Sequence, residues 1–136
     1  WLYGDLFCFG GRPALGNTAF ILSMLRIMGV MFRIPVALFS LELSNVQLVN
    51  RLITNVCEIP SEKIKSGQLA CYEWQQLDYK LKDLQDAPLY VDDSPLMKMD
   101  ILCNKAHYLV KEKGVKLIAI DYVQLLYNDI KYTENR

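Results

Sequence analysis

The feature that most constrains this chain is a glycine-bearing stretch, Phe9-Gly10-Gly11-Arg12-Pro13-Ala14-Leu15-Gly16-Asn17-Thr18. From Gly11 it reads G-x-x-x-x-G-N-T, one letter away from the phosphate-binding pattern G-x-x-x-x-G-K-[ST]. The letter that differs is the lysine, replaced here by Asn17. Ahead of the stretch, Leu6-Phe7-Cys8-Phe9 is a short apolar run that reads as a strand buried on both faces. Behind it, a helix is expected over residues 18–32, apolar nearly all round. Only Ser23, Arg26 and Arg33 mark a wet edge, so this helix should be largely buried. A strand that turns through glycines into a helix start points several backbone N–H groups at one spot. With the helix dipole, they attract phosphate without any side chain. Gly11 and Gly16 permit the backbone geometry, and Thr18 stands where a hydroxyl would ligate Mg²⁺.

The rest of the chain alternates between strands and helices. Val36-Ala37-Leu38-Phe39-Ser40-Leu41, after Pro35, reads as a second buried strand. Ser44 with Gln47 forms a capping box for a helix whose apolar face is Leu48, Val49, Leu52, Ile53 and Val56. Ile59-Pro60 breaks it, and Ser61 is expected to cap a short helix that stops at Gly67. A third amphipathic helix spans residues 71–84, with Trp74, Leu77, Leu81 and Leu84 on one stripe. Leu89-Tyr90-Val91 is a third strand, ending in Asp92-Asp93-Ser94-Pro95. A helix over residues 99–113 turns Leu102, Ala106, Leu109 and Val110 inward, and Gly114 ends it. Lys116-Leu117-Ile118-Ala119-Ile120-Asp121 is the last strand, and residues 127–136 read as loop. Strands joined by helical crossovers imply a parallel α/β sheet with helices on its faces.

Composition removes several alternatives. Of the 136 residues, 52% are hydrophobic and 22% charged, a soluble globular balance. Fifteen basic residues cancel fifteen acidic ones, so no general attraction to nucleic acid follows from charge. Cys8, Cys57, Cys71 and Cys103 are scattered without a C-x-x-C pair, and His107 has no ligand-like neighbour, which argues against zinc. Reduced thiols in the cytosol are the simplest reading. The apolar run over residues 20–32 is interrupted and too short for a membrane span. Starting at Trp1 and ending at Arg136, the chain is expected to be a piece of something longer.

Three further residues stand where chemistry would need them. In a parallel sheet, ligands sit beyond the C-terminal ends of the strands. Asp121 ends the last strand there, and paired with a phosphate loop it reads as a magnesium-binding carboxylate. Glu42, just past the second strand, is placed either to orient an attacking water or to lie on the surface before a helix cap. Gln124 is either a sensor of the terminal phosphate or an ordinary polar residue. Asp92 and Asp93 read better as turn and cap formers.

Taken together, these segments resemble the DnaB-type replicative DNA helicases. The loop with Ala19-Phe20 is similar to that family's A-R-P-S-M-G-K-T-A-F, and Phe39-Ser40-Leu41-Glu42-Leu43-Ser44 to its F-S-L-E-M-S. Gln47-Leu48-Val49, Arg51-Leu52, Lys65-Ser66-Gly67-Gln68-Leu69 and Glu73-Trp74 continue in register. Ala87-Pro88-Leu89-Tyr90-Val91-Asp92-Asp93-Ser94-Pro95 resembles A-P-I-Y-I-D-D-T-P. Ile118-Ala119-Ile120-Asp121-Tyr122-Val123-Gln124-Leu125-Leu126 resembles I-V-I-D-Y-L-Q-L-M, and Glu134-Asn135-Arg136 its E-N-R.

The resemblance implies that residues 1–136 are a partial RecA-like helicase ATPase domain, a P-loop NTPase core with a parallel sheet flanked by helices. It further implies ATP and Mg²⁺ as cofactors, a cytoplasmic homo-hexameric ring, and primase and a helicase loader as partners. Single-stranded DNA would be held by regions beyond this chain. By position, Gly11, Arg12, Pro13, Ala14, Leu15, Gly16, Asn17, Thr18 and Gln124 would bind nucleotide. Thr18 and Asp121 would hold the metal, Glu42 would activate the hydrolytic water, and Gln124 would couple nucleotide state to motion.

Two departures from the family pattern matter. Asn17 can donate a hydrogen bond but cannot balance the charge that develops on the phosphates. Losing such a contact commonly costs on the order of a hundred- to a thousandfold in turnover. The family's basic positions on the helix over residues 99–113 are here Asn104, His107 and Tyr108, with Lys105 remaining. Secondly, the family's arginine finger, its DNA-contacting loops and the strand between the loop strand and the Asp121 strand all lie past the position of Arg136. A gap in the sheet beside the first strand is therefore expected. Three readings follow: a helicase motor fragment or variant, a degenerate paralogue that binds nucleotide or associates with a ring, and an unrelated phosphotransferase or kinase.

Overall fold

The computed structural model describes residues 3–12 and 15–126. Three parallel strands form one sheet in the order β2-β1-β3: β1 Val36–Ser40, β2 Leu89–Asp92 and β3 Leu117–Asp121. β1 lies in the middle and every one of its residues is buried, as its uninterrupted apolar sequence requires. Successive side chains of a strand point to opposite faces. Val36 and Leu38 accordingly pack with Leu22, Leu25, Leu48 and Leu52 on one side, whereas Phe39 packs with Met97 and Leu102 on the other.

The first layer comprises α1 (Asn17–Arg26), extended by a π-helical turn (Ile27–Met31), and α2 (Asn45–Cys57). α3 (Ser61–Ser66) and α4 (Cys71–Gln85) add a smaller cluster in which Cys57, Ile59 and Leu77 are buried. α5 (Met99–Lys113) covers the opposite face through Leu102, Ala106 and Leu109. None of the helices among the described residues is long and apolar enough to cross a membrane.

Local sequence signals explain most helix ends. Ser44 and Gln47 form the expected capping box on α2. Gly67 and Gly114 end α3 and α5 in left-handed conformations. At α4 the Glu73 carboxylate does the work of a cap, accepting the Ala70 N–H at 2.8 Å and pairing with Lys63 at 2.7 Å. Both partners hold the Glu73 carboxyl below its ordinary range, the Lys63 hydrogen bond contributing most.

The structure corrects several expectations. Residues 6–9 form no strand, and Leu6 is 89% exposed. A strand exists only through a backbone partner, and β3 pairs with β1 alone among the described residues. The helix after the loop is buried on one side only, with Phe20, Ile27, Met31 and Phe32 exposed. One layer of contacts covers Leu22 and Leu25, whereas Phe20 on the other face stays half exposed despite its contact with Phe9. Val49, Trp74 and Val110 are likewise exposed, because each flanks its helix's apolar stripe instead of centring it. Ser61 begins α3 without capping it, since Pro60 occupies the N-cap. Residues 127–136 lie outside the described residues.

Candidate functional site at the C-terminal edge of the sheet

Parallel pairing aligns the strand ends. Ser40 sits opposite Asp121, and Phe39 opposite Asp92. The Leu41 N–H donates to the Asp121 carbonyl at 2.9 Å, which carries the β1–β3 pairing one step further. The buried Ser40 hydroxyl then closes a tight turn, donating to the Leu43 carbonyl at 2.8 Å and accepting the Leu43 N–H at 3.2 Å. Glu42 stands exposed at the tip of that turn. The sequence reading overlooked Ser40; its only advance signal was a polar residue closing an apolar strand.

The glycine loop is directed toward the same edge by topology. Where α1 gives way to the π-helical turn, Gly29 packs so closely that a Cβ there would lie 3.2 Å from Val36 Cγ2 and 3.7 Å from Leu89 Cβ. Val36 and Leu89 are the first residues of β1 and β2, so this end of the helix lies over the strand starts. The start of α1, some three turns away, is directed toward the edge where the strands end.

At that start, Gly16 occupies the N-cap in a left-handed conformation (φ 88°), and among the described residues no side chain caps the helix. The first N–H groups of a helix lack intrahelical acceptors and carry the positive end of its dipole. Upstream, the Leu15 N–H donates to the Arg12 carbonyl at 3.2 Å, and Asn17 Nδ2 donates to the Gly11 carbonyl at 3.4 Å. A Cβ on Gly11 would lie 2.5 Å from Asn17 Oδ1, so the carboxamide rests directly against the glycine backbone. Thr18 is half-buried, whereas Gly11, Arg12, Leu15, Gly16 and Asn17 are exposed. Pro13 and Ala14 lie outside the described residues. Phe9 and Phe20 meet in a tilted ring contact, centroids 5.2 Å apart and planes inclined by 56°.

Asp121 is buried, and its Oδ2 has no hydrogen-bond partner among the described residues. A buried carboxylate oxygen left so is costly unless a cation or donor completes it. Among the described residues, no three His, Cys, Asp or Glu side chains gather to hold a metal by themselves. Mg²⁺ does not need such a cage, because it keeps waters and takes one or two protein ligands together with substrate phosphates. The buried Asp121 oxygen therefore suits a Mg²⁺–phosphate complex better than an all-protein metal centre among the described residues.

The other carboxylates at this edge are committed. Asp92 accepts the Ser94 N–H at 3.0 Å and pairs with Lys105, which also donates to Ser94 Oγ at 3.1 Å. Burial pushes the Asp92 carboxyl up, but Lys105 and Ser94 outweigh it and hold the group below its ordinary value. Asp93 caps α2, accepting the Asn45 N–H at 2.7 Å and Asn45 Nδ2 at 2.9 Å. Both thus act as the turn and cap formers that the sequence indicated. Gln124 lies exposed in a 3₁₀ turn, Val123–Leu125, just past Asp121. Asn104, His107 and Tyr108 are exposed on α5. A cavity of about 460 Å³ opens between α5 and the β1–β2 side, lined by Phe39, Tyr90, Asp92, Lys105 and Tyr108. It belongs to the opposite face of the sheet from α1.

Residues 1–136 match the family model described as the DnaB-like helicase C-terminal domain. The chain is 38% identical over 124 residues to the replicative DNA helicase DnaB of a Nostoc species, covering 90% of this chain and 14% of that protein. It is 33% identical over 132 residues to the replicative DNA helicase DnaB of Geobacillus stearothermophilus, covering 97% of this chain and 29% of that one. Among solved structures, it resembles a protein solved as an ATPase domain (TM-score 0.80, 26% identity, 89% of this chain and 44% of that chain). It also resembles a DnaB-like replicative helicase whose structure was studied with its interactions with primase (TM-score 0.78, 27% identity, 85% and 29%). The chain therefore spans less than a third of the length of either DnaB relative.

Proposed function

This chain belongs to the DnaB-like helicase C-terminal domain family, and from that premise we propose that residues 1–136 form part of the RecA-like ATPase domain of a replicative DNA helicase. In this reading the loop from Gly11 to Thr18 cradles the phosphates of ATP through backbone N–H groups and the start of α1. Thr18 and Asp121 hold Mg²⁺, which when bound supplies charge neutralisation at the phosphates. Glu42, presented by the Ser40–Leu43 turn, orients the attacking water, and Gln124 couples the terminal phosphate to the chain that follows β3. Its wider partners would be those of a helicase ring: further copies of the protein in a hexamer, single-stranded DNA, a helicase loader, and primase, in the cytoplasm. The primase assignment is supported by the relative described with its primase interactions.

The observation that carries the reading is the buried Oδ2 of Asp121, without a partner among the described residues, at the strand edge toward which the glycine loop is directed. Binding of a fluorescent ATP analogue should require Mg²⁺ and weaken about tenfold or more in Asp121→Asn, the loss of one charged contact. Binding indifferent to both Mg²⁺ and the substitution overturns the proposal. Asn17 favours a second reading, in which nucleotide is bound without appreciable turnover. Steady ATP hydrolysis by the chain, abolished by Glu42→Gln, would rule that reading out.

A further inference from the structure

Resting on the reading that the glycine loop holds nucleotide phosphates, we propose that this site takes a nucleoside diphosphate about as well as a triphosphate. It would be a site that has lost its selection for the terminal phosphate.

The backbone contacts to phosphate do not depend on position 17. Gly16 in its left-handed conformation opens α1 without a side-chain cap among the described residues, so the first N–H groups of the helix remain available to the phosphates nearest the loop. These groups serve a diphosphate and a triphosphate alike. Discrimination between the two belongs to the position after Gly16, whose ammonium in the usual pattern reaches the β- and γ-phosphates.

Here that position is spent within the loop. Asn17 is uncharged, its Nδ2 donates to the Gly11 carbonyl at 3.4 Å, and its Oδ1 lies against the same glycine. The charges around the far end of the site then work against an added phosphate. Glu42 is exposed on its turn at the strand edge toward which the loop is directed, while Asp121 at the same edge is committed to Mg²⁺ in this reading. Lys105, a cation at that edge, is already held by Asp92 and Ser94. A terminal phosphate would bring more negative charge toward Glu42 with no ammonium at position 17 to offset it. One charge-assisted hydrogen bond corresponds to roughly ten- to a hundredfold in affinity, and the triphosphate forfeits more of it than the diphosphate.

The test is competition binding of ADP and a non-hydrolysable ATP analogue, with Mg²⁺, to the wild-type chain and to Asn17→Lys, each first checked by circular dichroism. The expected result is wild-type affinities within about threefold of each other, and a shift of about tenfold or more toward the triphosphate in Asn17→Lys. A wild-type preference for the triphosphate of about tenfold or more, or a ratio that Asn17→Lys leaves unmoved, overturns the proposal while sparing the phosphate-loop reading. Binding to Asn17→Lys alone does the same. Failure of both nucleotides on both folded chains overturns the phosphate-loop reading itself.

Discussion

The carboxamide of Asn17 reaches back across the glycine loop to the carbonyl of Gly11, 3.4 Å from donor to acceptor. The residue that departs from the phosphate-loop pattern is therefore engaged with the first residue of that pattern. Gly11→Ala tests how tight this contact is. Its new Cβ would meet Asn17 Oδ1 at 2.5 Å, which the exposed side chain relieves by swinging away. The melting midpoint should fall by an amount equivalent to less than about 1 kcal/mol, as for a single exposed hydrogen bond. Nucleotide affinity should fall several-fold, because the loop loses its internal brace. A large loss of stability would show that the contact is structural.

Ser40→Ala removes the hydroxyl that both donates to and accepts from the Leu43 backbone. The Leu43 groups are part-buried, so the urea midpoint should drop by the equivalent of about 1 kcal/mol, the usual net worth of a hydrogen bond. Glu42 rides on the same turn, so any Glu42-dependent activity should fall with it. Ser40→Thr, which restores the hydroxyl, should recover part of both.

The acid limb of stability should depend on Glu73 and Asp92, whose carboxyls are both held below their ordinary range. A carboxyl with a lowered folded pKa binds fewer protons folded than unfolded as pH falls. Its contribution is complete above the ordinary carboxylate value and disappears as pH drops through the lowered folded value. Glu73→Gln should therefore lower stability at neutral pH and flatten the profile below the ordinary carboxylate range. Unfolding midpoints measured from neutral to strongly acid pH give the comparison, and an unchanged acid limb would count against the Lys63–Glu73 pair as its source.

The two sides of α1 should respond differently to truncation. Leu25 is fully buried in the main core, and Leu25→Ala should cost about 2–5 kcal/mol. Phe20 is half exposed, and Phe20→Ala should cost less than about 1 kcal/mol. Chemical denaturation of both variants separates them. Equal losses would mean that the outer face is packed in solution.

Much of the fold could be read directly from local pattern. The uninterrupted run of β1, the Ser44–Gln47 box and the glycines after α3 and α5 are signals that short-range geometry enforces wherever they occur. The phosphate-loop pattern, with Asp121 at a strand end, was legible for the same reason, since spacing along one chain carries it. Tertiary structure alone decided three things. Residues 6–9 are as apolar as a strand, yet a strand is a relation between two backbones, and no ladder forms there among the described residues. The helix after the loop is apolar on most sides, and only the placement of the sheet determined that Leu22 and Leu25 are buried while Phe20 and Met31 are exposed. Asn17 appeared in the sequence as a missing charge. Its engagement with Gly11 depended on how the loop folds back on the start of α1, a through-space contact that no spacing rule encodes.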